Sequence, residues 1–335
     1  MTSTQSDKSA SATNDPTKKR TRAPRSDKFI YPCEVSEEQI SMKLDHYFGL
    51  LEGALGKDFD LKKSKESKTG ADHEYQGIVG RYYLQAKSPV ALLSPDTIAI
   101  KPEKEPGEYN SIRKFRLDEK LRHAPYSLCF GLRKPAEKAK VPDHLQHNLL
   151  FSMHAPEQGS LSMYVAPTVY KEDEYLALIR DKSHWDCLFD GPFWPGDNTR
   201  IKLLFAEEVF RDMPALQAHI CIVPHDKVTT HEHYYSYSKF ANDIAFHSPV
   251  SLPDSSLSLS DFISSEIGQL GNHERMHSIS DAAQHLQKSL PETILSEAGV
   301  PQEGYLAKWM VRVGFLLKRD FQIDQYLFLK RCEQD

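Results

Sequence analysis

From Ser36 onward, Ile40, Leu44, Tyr47, Phe48, Leu51 and Leu55 recur at helical spacing on one face. Ser36 is followed three residues later by Gln39, a capping box, so the pattern predicts an amphipathic helix of about five turns over 36–55. The charged, turn-prone stretch around Phe59 and Leu61 predicts one short strand and then a loop. Two strands are expected next, near 71–77 and 81–88, joined by a tight connection containing Gly77 and Gly80. A helix near 111–122 carries Ile112, Phe115, Leu117 and Leu121, and the apolar run over 126–132 predicts a buried strand. The later half predicts strands at 149–153, 161–166 and 219–223, a Ser- and Pro-interrupted loop over 248–260, and helices near 280–290, 304–317 and 320–332.

Composition narrows the class. With 39% apolar and 10% aromatic residues, the 335-residue chain can bury one large core or two moderate ones. No stretch approaches the roughly 20 uninterrupted apolar residues of a membrane span, and the N-terminus lacks the apolar block of a secretory signal, so no membrane association and a cytoplasmic location are expected. Cys33, Cys129, Cys187, Cys221 and Cys332 are scattered, without a CxxC pair, and read as reduced bystanders. Residues 1–28 hold seven Lys or Arg against three Asp and almost no large apolar side chain, which predicts a disordered basic tail. Its Lys18–Arg25 cluster suits a phosphate backbone or an acidic partner, or serves as a solubilising leader. The remainder then carries about minus nine, so a nucleic-acid role cannot rest on overall charge.

The candidate chemistry lies at the end of the expected hairpin. Alternate side chains of a strand share a face, so Asp72 and Glu74 point together, and Gln85 and Lys87 stand opposite the core-like Leu84 and Ala86. Carboxylate oxygens suit Mg²⁺, with Mn²⁺ as an alternative, and a nearby Lys can orient an attacking water and neutralise phosphate charge. That set points to phosphodiester hydrolysis.

Thr69-Gly70-Ala71-Asp72-His73-Glu74 followed by Leu84-Gln85-Ala86-Lys87 resembles the PD-(D/E)xK, or restriction-endonuclease-like, nuclease superfamily in a Q-x-K variant. The resemblance covers residues 36 to about 132. It implies Asp72 as metal ligand, Lys87 as catalytic cation, and Glu74 or Gln85 as further metal ligands, Gln85 standing where Glu is commoner. It also implies a carboxylate from the preceding helix. Glu37 shares the face of Ile40 and Leu44, whereas Glu38 points away and Glu52 sits at the margin. The implied protein is a Mg²⁺-dependent endonuclease acting on DNA ahead of RNA, of the kind found among restriction and antiphage effectors, with an activating or regulatory protein partner.

The expected architecture is therefore α/β: the tail over 1–28, then a nuclease-like mixed sheet flanked by helices over 29–148. An α+β region over 149–335 follows, for target recognition, regulation or partner binding. A second reading from another class is a catalytically silent nuclease-like module that binds a ligand or partner. His225, His231 and His233 could hold a metal but lack acidic ligands at set distances, and read more simply as structural or surface histidines. The adjoining Tyr234–Tyr237 stretch reads as partly exposed aromatics able to stack bases, and the aromatic loop 185–196 as a lid or pocket wall. No nucleophile elbow, phosphate-cradling glycine loop or nicotinamide fingerprint is present, which excludes kinase and dehydrogenase classes.

Overall fold

The capping box at Ser36 forms reciprocally: Gln39 N donates to Ser36 Oγ at 3.1 Å, and Ser36 N donates to Gln39 Oε1 at 2.8 Å. These bonds start helix α1 (Glu37–Leu55) of the computed structural model, with Ile40, Leu44 and Phe48 on its buried side as the periodicity predicts. The structure describes residues 30–55, 59–63, 75–94, 107–121, 125–133, 145–180, 218–241, 243–247, 250–251, 257–258 and 277–331. The tail over 1–28, the loop 185–196, and residues Asp72, Glu74, Cys187 and Cys332 lie outside them.

The described elements form a mixed α/β protein with two sheets and seven α-helices. One sheet is antiparallel, with β1 (Ile30–Pro32), β4 (Val90–Leu93), β5 (Tyr126–Gly131), β8 (Tyr234–Ser238), β9 (Ala245–His247) and β10 (Val250–Ser251) adjacent in that order. The other runs β11 (Leu257–Ser258), β7 (His219–Ile222), β6 (Ser160–Pro167), β3 (Tyr75–Ala86), β13 (Asp324–Arg331) and β2 (Phe59–Lys63), with β12 (His277–Ser278) also on β3. Among the described strands, only the β3–β6 pair is parallel. Both sheets take strands from either side of residue 148, so the expected division there separates neither sheet. Among the described residues, no helix is long and apolar enough to cross a membrane.

Three expectations are corrected. The hairpin near 71–88 does not form: Tyr75–Ala86 is one strand, and Gly80 lies inside it opposite Phe328. The long antiparallel partner β13 keeps the chain extended through the glycines, a non-local effect that outweighs the local turn signal. The apolar run 149–153 belongs to helix α3 (Gln146–Met153), since a short apolar run does not distinguish strand from helix. Ser160 Oγ donates to Met153 O at 2.5 Å and Ser162 Oγ donates to Leu150 O, which satisfies two carbonyls at the end of α3. The segment expected as a helix over 320–332 is β13. Helix α7 (Leu306–Phe321) stops where Gln322 adopts φ +55° and Ile323 N donates back to Leu317 O at 3.2 Å.

The other helices are α2 (Gly107–Asp118), α4 (Glu172–Arg180), α5 (Ile279–Ser289) and the short α6 (Glu292–Ala298), which the sequence reading did not anticipate. Sheet parity then divides the core. Tyr82 and Phe328 face α1, where Phe48 stacks on Tyr326 at 4.1 Å and lies 6.0 Å from Tyr82. Tyr83, Leu327 and Leu329 belong to the larger cluster, with Leu149 and Leu150 of α3, Ala282 and Leu286 of α5, and Trp309 and Met310 of α7. Strand β3 is thus buried on both faces, as a central strand with a parallel neighbour requires.

Candidate functional site

Gln85 and Lys87 fall on the same face of the chain at the end of β3, as side-chain parity predicts, but that face is covered: Gln85 is 1% exposed and Lys87 5%. The cover is the first turn of α3. Lys87 Nζ donates to Gln146 Oε1 at 3.1 Å, while Gln146 Nε2 donates to both Gln85 Oε1 and the Phe321 carbonyl. Gln85 Nε2 donates to Ala86 O at 2.8 Å. The ammonium also sits 5.7 Å from the centre of the Tyr164 ring, within cation–π range. Backbone pairing holds this end of the strand in place, with Lys87 N donating to Val165 O at 2.9 Å.

Burial brings the Lys87 pKa down to about 8; the Glu37 carboxylate opposes that shift and Arg133 adds to it. The three groups line one cavity of about 250 Å³, together with Tyr109 of α2, Tyr234 of β8 and Gln322. Glu37 is the first residue of α1, so the helix carboxylate implied by the resemblance lies in the same cavity as Lys87. Glu38 is exposed, and the side chain of Glu52 lies outside the described set. Arg133 follows the end of β5, and its Nη1 is buried without a hydrogen-bond partner among the described residues. A buried guanidinium nitrogen left unpaired costs free energy unless a ligand supplies the acceptor.

The metal fit is poor at the described half of the motif. Mg²⁺ needs free, hard oxygen ligands, but the Gln85 oxygen already accepts from Gln146 inside a closed amide chain. Among the described residues, no group of three His, Cys, Asp or Glu side chains stands close enough to hold a metal ion. The cavity that these residues line carries two cationic side chains, one carboxylate and the rings of Tyr109 and Tyr234.

Sequence reasoning did not find Gln146, Tyr109 or Arg133, because each reaches the cavity through tertiary packing and has no local motif. The Tyr234–Tyr237 stretch was expected as an exposed stacking surface. Instead Tyr235 and Tyr237 are fully buried, and Tyr234 is the tyrosine of that strand that lines the cavity. His233 stacks on Phe246 at 5.5 Å and His225 meets the same ring at 6.3 Å, so these two histidines pack against the core. Comparison of the chain with protein-family models, with curated proteins and with solved structures gives no match in any of the three.

Proposed function

We propose that the protein is a ligand-binding α/β protein whose cavity holds a small anionic group, a phosphate above all, between Lys87 and Arg133. The observation that carries this reading is that the two cationic side chains Lys87 and Arg133 line one cavity. Arg supplies a planar fork suited to phosphate oxygens and Lys a compact charge, so together they outweigh the single carboxylate of Glu37. The amide chain from Gln85 through Gln146 fixes the strand end from which Lys87 projects. The test is the thermal shift and calorimetric titration of the whole protein with inorganic phosphate and pyrophosphate at constant ionic strength. Both should bind, and Arg133→Gln and Lys87→Gln should each weaken binding more than tenfold. No heat and no shift with either anion overturns the reading.

A second reading, Mg²⁺-dependent cleavage of DNA or RNA by a restriction-endonuclease-like core, is favoured by one observation: Glu37 and Lys87 line the same cavity. It requires Asp72 and Glu74 to complete the site, and a defence role and a regulatory partner belong to it. Asp72→Ala and Lys87→Ala should then each abolish divalent-dependent cleavage in variants whose melting curves show that they still fold. Cleavage that persists in either variant removes this reading.

A further inference from the structure

The cavity is larger than the anion it would hold. Its volume of about 250 Å³ equals the space of about eight water molecules at ~30 Å³ each, whereas a phosphate group is five heavy atoms at the Lys87–Arg133 end. The rest of the lining includes two tyrosine rings beside Ser88, Val90 and Gln322. Tyr109 and Tyr234 meet edge-on, with ring centres 6.3 Å apart and planes at 68°, and form a corner that offers one ring face and one ring edge to a third ring.

This corner is anchored. Both tyrosines pack against the small apolar cluster of Leu92, Ile112 and Cys129, so their position does not depend on a ligand. Gly131 makes the close approach possible: a Cβ there would meet the Tyr234 ring at 3.0 Å, so the ring lies against the bare backbone of β5. A glycine inside a strand often marks such a contact, and here it shapes a cavity wall.

We propose that the ligand is a small phosphate ester carrying a flat ring, of the type of a nucleoside monophosphate. Its phosphate lies between Lys87 and Arg133, and its ring lies against the Tyr109–Tyr234 corner. This rests on the anion site proposed above and adds the second recognition point. Charge alone would not distinguish a phosphate ester from free phosphate, whereas a ring stacked in the corner gives a preference that survives added salt.

The experiment is a calorimetric titration of the whole protein with AMP, UMP, ribose 5-phosphate and inorganic phosphate, repeated on Tyr234→Leu and Tyr109→Leu. At least one nucleotide should bind tenfold or more tighter than ribose 5-phosphate. Each leucine variant should remove most of that preference and leave the ribose 5-phosphate affinity within about twofold. Melting curves confirm that the variants fold; if either does not, Gly131→Ala, which displaces the Tyr234 ring without touching a charge, replaces it. Ribose 5-phosphate binding as tightly as both nucleotides, or a nucleotide preference unchanged in the variants, overturns the ring site and leaves the anion site standing. Binding of none of the four compounds overturns the anion site itself.

Discussion

The two faces of β3 are equally buried and are held by different means. Toward α1, Tyr82 packs with Phe48 and Phe328, and Phe48 stacks on Tyr326, so ring-against-ring contacts dominate beside the hydrogen bond that Tyr326 OH donates to Asp45 Oδ1 at 2.7 Å. Toward α3 and α5, Arg81 donates to Ala282 O at 3.0 Å and Gln158 O at 2.7 Å, while Gln85 and Lys87 are bound to Gln146. Dispersion and water exclusion are non-directional, so the first face tolerates changes of shape that keep volume. The second tolerates little, because each buried polar group lost from a network strands its partner. Both faces stabilise the strand, and on the polar face Lys87 also lines the cavity.

The largest effect should come from breaking the apolar face. Phe328 meets Tyr82 edge-on at 5.3 Å and is fully buried between α1 and the sheet, so Phe328→Ala should cost about 3–5 kcal/mol in chemical denaturation. Phe328→Leu should recover more than half of that. If the leucine variant is as unstable as the alanine variant, the face depends on ring geometry and the contrast between the two faces is wrong.

Next is the polar face. Gln146→Leu keeps a similar volume but leaves the Lys87 ammonium, the Gln85 oxygen and the Phe321 carbonyl each short of a partner. The expected cost is about 2–4 kcal/mol, measured by the same denaturation. Adding Lys87→Met should return part of this loss, because the stranded charge is removed; a double variant less stable than Gln146→Leu alone would show that Lys87 has another acceptor.

Much of this comparison was legible in the sequence, and the reasons for the rest are physical. The helix at Ser36, the strands around Phe59, Tyr126, Leu161 and His219, and the parity that sets Gln85 and Lys87 against Leu84 all follow from local periodicity and capping. Missed was whatever depends on a distant partner. Tyr326-Leu327-Phe328-Leu329 is apolar on consecutive residues, which fits a strand buried on both faces as well as a core helix. Only the turn at Gln322, where a non-glycine residue takes a positive φ, separates it from α7. The burial of Gln85 was likewise hidden, since the amide that engages it arrives from α3, 61 residues later.

A smaller effect separates the faces by pH. In the unfolded chain Lys87 titrates near its ordinary value of 10.5, and in the folded protein near 8, so between these values the unfolded state holds the proton more often. Stability therefore carries a penalty below pH 8 that is relieved as pH rises toward 10.5, by about 2 kcal/mol between pH 8 and 10. Buried tyrosines act in the opposite sense above pH 10: burial raises Tyr83 to about 12, so the unfolded state loses that proton first. The readout is accordingly the difference between the native protein and Lys87→Met, which should favour the native protein increasingly from pH 8 to 10. A constant difference would mean that Lys87 titrates at the same pH in the folded and the unfolded chain, so that burial does not lower its pKa.

The smallest effect is on binding, and it ties the polar face to the cavity. An anion between Lys87 and Arg133 interacts with the ammonium only while it is protonated, whereas the guanidinium keeps its charge across the working range. Affinity for inorganic phosphate should be level between pH 7.2 and the Lys87 pKa near 8, because phosphate gains its second charge as Lys87 loses its proton, and should fall about fivefold by pH 9. In Lys87→Met binding should be weaker and should show no fall above pH 8. Binding should also take up protons near pH 8, because the anion raises the Lys87 pKa, so the calorimetric heat should change between buffers of different ionisation enthalpy. Arg133→Gln should weaken binding yet keep the buffer dependence, because Lys87 still titrates beside the anion. If the native profile is flat from pH 7.2 to 9 while Arg133→Gln binds weakly, the anion is held by Arg133 alone, and Lys87 belongs only to the hydrogen-bonded interior with Gln146.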